Sequence, residues 1–226
     1  MLLMRKKLLR QISKRMQERY SNRYRSLRYD VRTLGWGSTE QQELRFDQTL
    51  HGGVDFTNRV VLDLGCGFGD YLSFLSNRKM RFREYIGMDI NPDLLNEARK
   101  RHSRRRRQNF RFTTGDLVIE TPKKPIADVG VMLGVLNLNH KGVVDNYEYS
   151  FLCIRNAFAL VREALIVDFL SANRFTEYPK EEFVFYHEPE RMLSFALTLT
   201  PGVLLKHDYE PIPQKEFMMF LKKTDL

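Results

Sequence analysis

The chain has 226 residues, of which 42% are hydrophobic and 16 are Phe, so it can form one globular domain, and intrinsic disorder is excluded. No apolar stretch approaches the roughly 18–20 residues that span a bilayer. The N-terminus lacks the apolar segment of a secretory signal, and two Cys make no disulfide framework. We therefore predict a cytoplasmic protein without a membrane span.

The net charge of +9 is concentrated in two segments. Residues 1–32 hold eleven Lys and Arg against Glu18 and Asp30, and residues 97–111 hold eight against Glu97. The rest of the chain is acidic. Such basic segments either bind a polyanion or form solvated surfaces, and both alternatives stay open.

The N-terminal part is predicted to be helical. Apolar residues recur at three- and four-residue spacing from Leu8 to Tyr20, which predicts a helix over 3–28. After a turn over 29–38, Ser38 is followed three positions on by Gln41, a capping-box pattern that predicts a helix continuing to Leu50. We predict a helical extension, or lid, over 1–52 and a separate domain over 53–226.

From residue 53 onward, predicted strands and helices alternate. This pattern is typical of an α/β fold with a doubly wound, Rossmann-like sheet of about seven mostly parallel strands and helices on both faces. The link between the last two strands is too short for a helical crossover, so the last strand is predicted to be antiparallel. The strands are predicted at 59–64, 83–89, 109–114, 127–133, 163–169, 203–208 and 216–222, and the helices at 69–77, 92–102, 144–160 and 188–198.

A glycine-rich turn follows the first of these strands. Gly65, Gly67 and Gly69 alternate, one residue closer than in the Gly-x-Gly-x-x-Gly turn of dinucleotide-binding proteins. No basic residue stands close enough in sequence to neutralise a phosphate, whereas Asp63 and Asp70 flank the turn. The turn therefore predicts a nucleoside ligand with positive character, such as a sulfonium or an ammonium group.

Carboxylates also close the next two predicted strands. Asp89 ends the second strand, where its two oxygens could hold the ribose hydroxyls. Asp116 ends the third strand, where it could accept a hydrogen bond from the exocyclic amine of adenine. The fourth strand opens into Gly134 at the same sheet edge, where ligands of such folds bind.

Segments 60–70, 87–89, 114–117 and 128–137 together resemble the successive motifs of class I S-adenosylmethionine-dependent methyltransferases. The resemblance covers about residues 55–222 and implies S-adenosylmethionine as cofactor and methyl transfer (EC 2.1.1) as activity. It implies that Asp63 and the first two glycines surround the methionine moiety, that Asp89 holds the ribose, and that Asp116 holds the adenine with Leu117. The predicted cofactor site comprises Asp63, Gly65, Cys66, Gly67, Asp89, Ile90, Asp116, Leu117 and Leu133.

The same resemblance places the acceptor among the N-terminal extension, the loop after the fourth strand and the insertion after the fifth. Tyr20, Tyr24, Trp36 and Tyr186 are the predicted substrate-binding residues. His187 is the predicted general base, because its side chain titrates near neutral pH. The alternatives are that Trp36 packs the extension onto the core and that His187 is a hydrogen-bonded surface residue.

A small-molecule methyltransferase acting on oxygen or nitrogen is the predicted function, because the aromatic residues after the fifth strand suit an enclosed pocket. The alternative is an RNA or protein methyltransferase that docks its substrate through basic segments 5–32 and 99–111. A cofactor-binding protein without activity also stays open, whereas the glycine spacing argues against a nicotinamide dehydrogenase. Gln42 and Arg45 are candidates to reach the cofactor's carboxylate. The five histidines are scattered singly, so no metal site is predicted.

Overall fold

The computed structural model describes residues 2–105, 109–120, 122, 124–173, 180–209 and 215–224. Short 3₁₀ turns at Val31–Leu34 and Thr49–His51 flank the second helix. The described helices are α1 Leu2–Leu27, α2 Thr39–Gln48, α3 Asp70–Asn77, α4 Pro92–His102, α5 Asn146–Ala159 and α6 Pro189–Leu197. The described strands are β1 Val60–Leu64, β2 Glu84–Asp89, β3 Phe110–Thr114, β4 Ala127–Met132, β5 Val161–Leu170, β6 Gly202–Lys206 and β7 Glu216–Lys222.

The described strands form one sheet in the order β3-β2-β1-β4-β5-β7-β6. β1 lies between β2 and β4 and is parallel to both, while β7 runs antiparallel to β5 and β6. Every residue of β1 and β4 is buried, as expected for central strands of a sheet covered by helices on both faces. The predicted fold class is confirmed, including the antiparallel last strand.

The cap of α2 differs in one detail from the predicted capping box. The hydroxyl of Ser38 accepts a hydrogen bond from the amide of Gln41 at 3.3 Å, as expected of an N-cap. The side chain of Gln41 does not return to Ser38: its Oε1 accepts from the amide of Gly37 at 2.9 Å. The cap therefore also fixes the turn that precedes α2.

α1 lies across the carboxyl ends of the parallel strands. The side chain of Gln17 donates to the carbonyl of Ile90 at 2.7 Å, and Asn91 donates back to the carbonyl of Gln17 at 2.9 Å. Further along, the hydroxyl of Ser21 donates to Asp93 at 2.7 Å. These bonds fix α1 to the connection between β2 and α4. No described helix has both the length and the apolar character required to cross a membrane.

Candidate active site

The turn between β1 and α3 depends on its glycines. Gly65, Gly67 and Gly69 have φ values of +77°, +52° and +73°, a region that residues with a Cβ rarely adopt. A Cβ on Gly65 would lie 2.5 Å from Val135, and one on Gly67 would lie 2.8 Å from Leu34. The turn therefore presents its backbone to whatever lies beside it and leaves no room for side chains.

Asp63 is a buried carboxyl group beside this turn. It is 4% exposed, and it accepts a hydrogen bond from the hydroxyl of Tyr85. Burial raises the pKa of Asp63 to about 7, against the lowering effect of the Tyr85 bond. A cation placed next to Asp63 would favour its ionised form, so the group fits a ligand with a positive charge.

Asp89 ends β2 and joins two backbone segments. Its Oδ2 accepts from the amide of Gly67 at 2.9 Å, and its Oδ1 accepts from the amide of Asn91 at 2.8 Å. Burial raises the pKa of Asp89, whereas these backbone bonds lower it. An ionised carboxylate has about four acceptor positions, so Asp89 keeps capacity for two ligand hydroxyls.

The turn and the strand ends surround a cavity of about 120 Å³, called here the cofactor cavity. Its acidic strand ends and its bare glycine backbone fit a nucleoside that carries a positive charge. All nine residues predicted to bind the cofactor line this cavity, namely Asp63, Gly65, Cys66, Gly67, Asp89, Ile90, Asp116, Leu117 and Leu133.

α1 and the turn before α2 also contribute to the wall of the cofactor cavity. Ser13, Met16 and Tyr20 contribute from one face of α1, since residues three and four apart lie on the same side of a helix. Trp36 contributes from the turn, and its ring meets Phe46 edge-on at 6.2 Å between centroids. Two predicted substrate-binding residues, Tyr20 and Trp36, therefore lie beside the predicted cofactor residues.

A second cavity, of about 290 Å³, adjoins the first and is called here the adjoining cavity. Tyr20, Leu34, Trp36 and Gly134 line both cavities, so these four residues mark the junction between them. The rest of the adjoining cavity is lined by α1, α2, the loop after β4 and the described segment 181–184.

Arg45 lies behind the junction in a buried charge cluster. Its guanidinium carbon is 4.5 Å from the ring centre of Trp36. It donates to Glu216, and its Nε lies 3.6 Å from Asp168, which itself accepts from the amide of Gly134 at 2.6 Å. Burial raises the pKa of Glu216 to about 7 despite the nearby arginine. Arg45 lines the adjoining cavity and not the cofactor cavity, so its predicted contact with the cofactor's carboxylate stays a prediction.

Gln42 lies in the cofactor cavity wall, together with Asp70. Its side-chain amide donates to one oxygen of Asp70 at 3.3 Å, and the hydroxyl of Tyr29 donates to the other at 3.0 Å. Burial raises the pKa of Asp70, while these bonds and the charge of Arg101 lower it. Gln42 thus remains a candidate to contact the cofactor, with its orientation fixed by Asp70.

Two predicted substrate-binding residues, Tyr24 and Tyr186, lie outside both cavities. Tyr24 comes one turn after Tyr20 on α1, and its hydroxyl donates to Glu97 of α4 at 2.8 Å. Tyr186 is 7% exposed, and its hydroxyl accepts from the amide of Glu181 at 3.3 Å. Both side chains hold the walls in place, and their predicted contact with substrate is not supported.

His187 is fully buried and lines neither cavity, which contradicts its predicted role as general base. Its Nε2 lies 2.9 Å from the hydroxyl of Ser150, and its ring packs against Phe169, Phe185 and Tyr147. Burial lowers the pKa of His187 to about 3, so the ring is neutral at pH 7. The aromatic cluster around it belongs to the core and not to a substrate pocket.

Several cavity residues were not predicted from the sequence. Ser13 and Met16 lie on the same face of α1 as Tyr20, so the helical periodicity that revealed the helix also contained this signal. Arg19 and Arg23 continue this face of α1 at three- and four-residue spacing. Leu34 carried no comparable signal, because its position depends on how α1 and the Trp36 turn meet.

Comparison with known proteins agrees with this site. A family model described as a methyltransferase domain matches residues 62–146. A curated relative, the U6 snRNA methylphosphate capping enzyme Amus of Drosophila melanogaster, is 29% identical over an alignment of 126 residues that covers 48% of this chain and 42% of that protein. The chain thus spans less than half the length of this relative.

Solved structures share the whole fold at low sequence identity. Magnesium protoporphyrin IX methyltransferase from Synechocystis PCC 6803, with bound S-adenosylhomocysteine, has a TM-score of 0.67 at 16% identity and covers 94% of this chain and 98% of its own. Phosphoethanolamine N-methyltransferase 1 from Haemonchus contortus has a TM-score of 0.63 at 14% identity, over 96% of this chain and 49% of its own. The small RNA methyltransferase HEN1 has a TM-score of 0.61 at 15% identity, over 81% and 25%.

These findings converge on one cofactor. The match to the methyltransferase domain covers the region from β1 through β4, which carries most of the cofactor cavity. Two of the similar structures hold S-adenosylhomocysteine, and the glycine turn and the buried carboxylates fit its sulfonium precursor. Residues 62–146 thus match a methyltransferase domain, the fold is shared with solved methyltransferases, and the site fits S-adenosylmethionine as a cofactor.

Proposed function

We propose that this chain transfers the methyl group of S-adenosylmethionine to an oxygen or nitrogen atom of a small molecule bound in the adjoining cavity. The observation that carries this proposal is the junction of the two cavities at Tyr20, Leu34, Trp36 and Gly134. A molecule in the adjoining cavity would lie directly beside the methionine end of the cofactor cavity.

The size and walls of the adjoining cavity favour a small acceptor. Its volume of about 290 Å³ is close to the lower end of the range of about 300–1,000 Å³ for small-molecule pockets. Trp36 and Phe183 supply aromatic surface, while Gln41 and Asn137 supply polar groups that could orient a ligand. An RNA or a protein could place only a single protruding group in this cavity.

The chain's own contribution to the reaction would be positioning. When bound, S-adenosylmethionine supplies an already activated methyl group, so the protein has mainly to align donor and acceptor. Asp63 and Asp89 would hold the donor from one side, and Tyr20 and Trp36 would hold the acceptor in line from the other. Tyr20, on the inner face of α1, would shield the junction from water.

Titration calorimetry with S-adenosylhomocysteine, with NADH as a control ligand, tests the donor side of this proposal. We expect micromolar binding of S-adenosylhomocysteine that changes little between low and high salt, because the cavity is enclosed and buried charges are weakly screened. We expect no binding of NADH. A preference for NADH would overturn both the proposal and the interpretation of the glycine turn.

A second candidate is methyl transfer to RNA, favoured by one feature of the packing. α1 lies against α4 through Ser21–Asp93 and Tyr24–Glu97, so the basic residues of the two helices are brought close together. The curated relative acts, by its name, on U6 snRNA. An RNA would then be held by phosphate contacts along this surface and would present one group to the adjoining cavity.

The double variant Lys100→Gln/Arg104→Gln separates the two candidates, since both side chains are exposed and line neither cavity. If the acceptor is a small molecule, we expect the double variant to bind S-adenosylhomocysteine as tightly as wild type does. We also expect wild type to bind oligonucleotides only weakly, with this binding lost at moderate salt. RNA methylation that is lost in the double variant would replace the small-molecule proposal.

A further inference from the structure

We infer that the acceptor atom is an ionised oxygen of an acid, either a carboxylate or a phosphate group, rather than a hydroxyl or an amine. This inference rests on the proposed function, because it names the chemical class that the adjoining cavity would hold. Two features carry it: the charge of the cavity wall and the groups found at the junction.

The wall of the adjoining cavity carries more positive than negative side chains. Among the described residues that line it, Arg19, Arg23 and Arg45 are basic and Glu181 is acidic. Arg45 is already balanced by buried carboxylates, so it contributes little net charge. Arg19 and Arg23 therefore outnumber the single acidic group of the wall.

Among the described residues, the contacts of these two arginines are with neutral groups. Arg23 donates to the backbone carbonyls of Thr33 and Arg32, which are neutral acceptors. Arg19 has its guanidinium carbon 5.9 Å from the ring centre of Phe183, another residue of the same wall. A wall of this kind attracts an anion and repels an ammonium group.

Glu181 is the one carboxylate among the described residues of the adjoining cavity that could remove a proton, since the carboxylates of the cofactor cavity are expected to hold the cofactor. No histidine or lysine occurs among the described residues that line either cavity. Tyr20 is the titratable residue shared by both, and burial raises its pKa, so its hydroxyl stays protonated and acts as a donor. A neutral hydroxyl or an ammonium group would have to lose a proton before or during transfer, whereas an ionised oxygen would not.

The proposed step balances without any proton transfer. A lone pair on the acceptor oxygen forms the new bond to the methyl carbon while the bond from that carbon to sulfur breaks. The electron pair of the broken bond goes to sulfur, which becomes a neutral thioether, and the acceptor becomes a neutral or less negative methyl ester. Donation from Tyr20 and attraction by Arg19 and Arg23 would hold the oxygen in line.

The test is calorimetry of the protein saturated with S-adenosylhomocysteine, using four probes that share an aromatic ring. Benzoate and phenyl phosphate are the anionic probes, and benzyl alcohol and benzylamine are their neutral and cationic counterparts. We expect at least one anion to bind about tenfold more tightly than benzyl alcohol, which corresponds to one hydrogen bond to a charged group. Which anion is preferred distinguishes a carboxylate acceptor from a phosphate acceptor.

Three variants assign the preference to the wall. We expect Arg19→Gln to weaken binding of the preferred anion about tenfold, and Arg10→Gln, on the same helix but in neither cavity, to leave it unchanged. We expect Glu181→Gln to tighten anion binding, because it removes the acidic group from the wall. A general base at Glu181 predicts instead that this variant loses turnover of alcohol or amine acceptors.

The outcomes separate the inference from the function on which it rests. If S-adenosylhomocysteine itself fails to bind, the proposed function falls. If it binds, but no anion binds more tightly than benzyl alcohol or benzylamine, the inference is overturned. The same holds if no anion binds measurably. The proposed function is unaffected in both cases. Loss of anion binding in Arg10→Gln as well would show that the preference does not arise in the adjoining cavity.

Discussion

The amide of Gly67 donates a hydrogen bond to Oδ2 of Asp89 at 2.9 Å. This bond joins the glycine turn after β1 to the end of β2. The carboxylate expected to hold the ribose is therefore positioned by the same loop that surrounds the methionine end of the cofactor. We therefore expect both the shape of the turn and the affinity for the nucleoside to depend on Asp89.

Replacing Asp89 by Ala should weaken S-adenosylhomocysteine binding by about 2–4 kcal/mol, because two charge-assisted hydrogen bonds to the ribose are lost. Calorimetry measures the change directly. Asp208→Ala is the matched control, since Asp208 is exposed, lines neither cavity and accepts a hydrogen bond from Lys206 of β6. Affinity within about twofold of wild type would remove Asp89 from the cofactor site.

Gly65→Ala should abolish cofactor binding, and Gly142→Ala should not. The two glycines have similar positive φ values of +77° and +71°, so both substitutions carry a similar backbone strain of about 1–2 kcal/mol. A Cβ at Gly65 meets Val135 at 2.5 Å, whereas nothing lies within 4 Å of one at Gly142. Calorimetry together with urea unfolding of both variants checks this. Equal binding by the two would show that the cofactor does not approach this turn.

Arg45→Met should destabilise the protein by about 3–5 kcal/mol, because it leaves Asp168 and Glu216 buried without a cation. Burial raises the pKa of Glu216 to about 7 in the folded wild type, against the lowering effect of the Arg45 charge. Removing Arg45 therefore raises this pKa further, so the folded variant keeps a proton that the unfolded chain releases as pH rises. The loss should therefore be largest near pH 8 and smaller near pH 6. Urea unfolding at both pH values measures it.

Glu216→Gln is the companion to that variant and should be far milder, because it removes one of two carboxylates that share a single arginine. A pH-independent loss in Arg45→Met, or an equal loss in Glu216→Gln, would contradict the assignment of these three side chains to one charge cluster.

His187→Gln should act on stability and not on the pH dependence of turnover. The pKa of His187 is lowered to about 3 in the folded state. At a pH below its ordinary pKa of about 6.5, the unfolded chain therefore binds a proton at His187 that the folded protein does not bind. The stability advantage of wild type over the variant should therefore shrink by about 1.4 kcal/mol per pH unit as pH falls from 6.5 to 5. Urea unfolding across this range tests it, and a constant difference would count against the buried neutral imidazole.

The sequence by itself determined the sheet and its antiparallel last strand, and it picked out nine of the residues that line the cofactor cavity. These features are local: apolar runs define buried strands, and a Cβ cannot be placed where Gly65 and Gly67 stand. Because parallel strands all end at one sheet edge, carboxylates that close successive strands must converge there. Asp63 and Asp89 could therefore be assigned from chain position alone.

Only the tertiary structure decided the acceptor side. Tyr20 and Tyr24 lie one turn apart on α1, and the sequence does not distinguish them. Of the two, only Tyr20 lines the cavities, whereas the side chain of Tyr24 contacts Glu97 of α4. His187 has the sequence surroundings of a pocket but lies inside the core, where α5 supplies its Ser150 partner from 37 residues away. Such outcomes depend on how elements distant along the chain pack together, and no local pattern of residues predicts that packing.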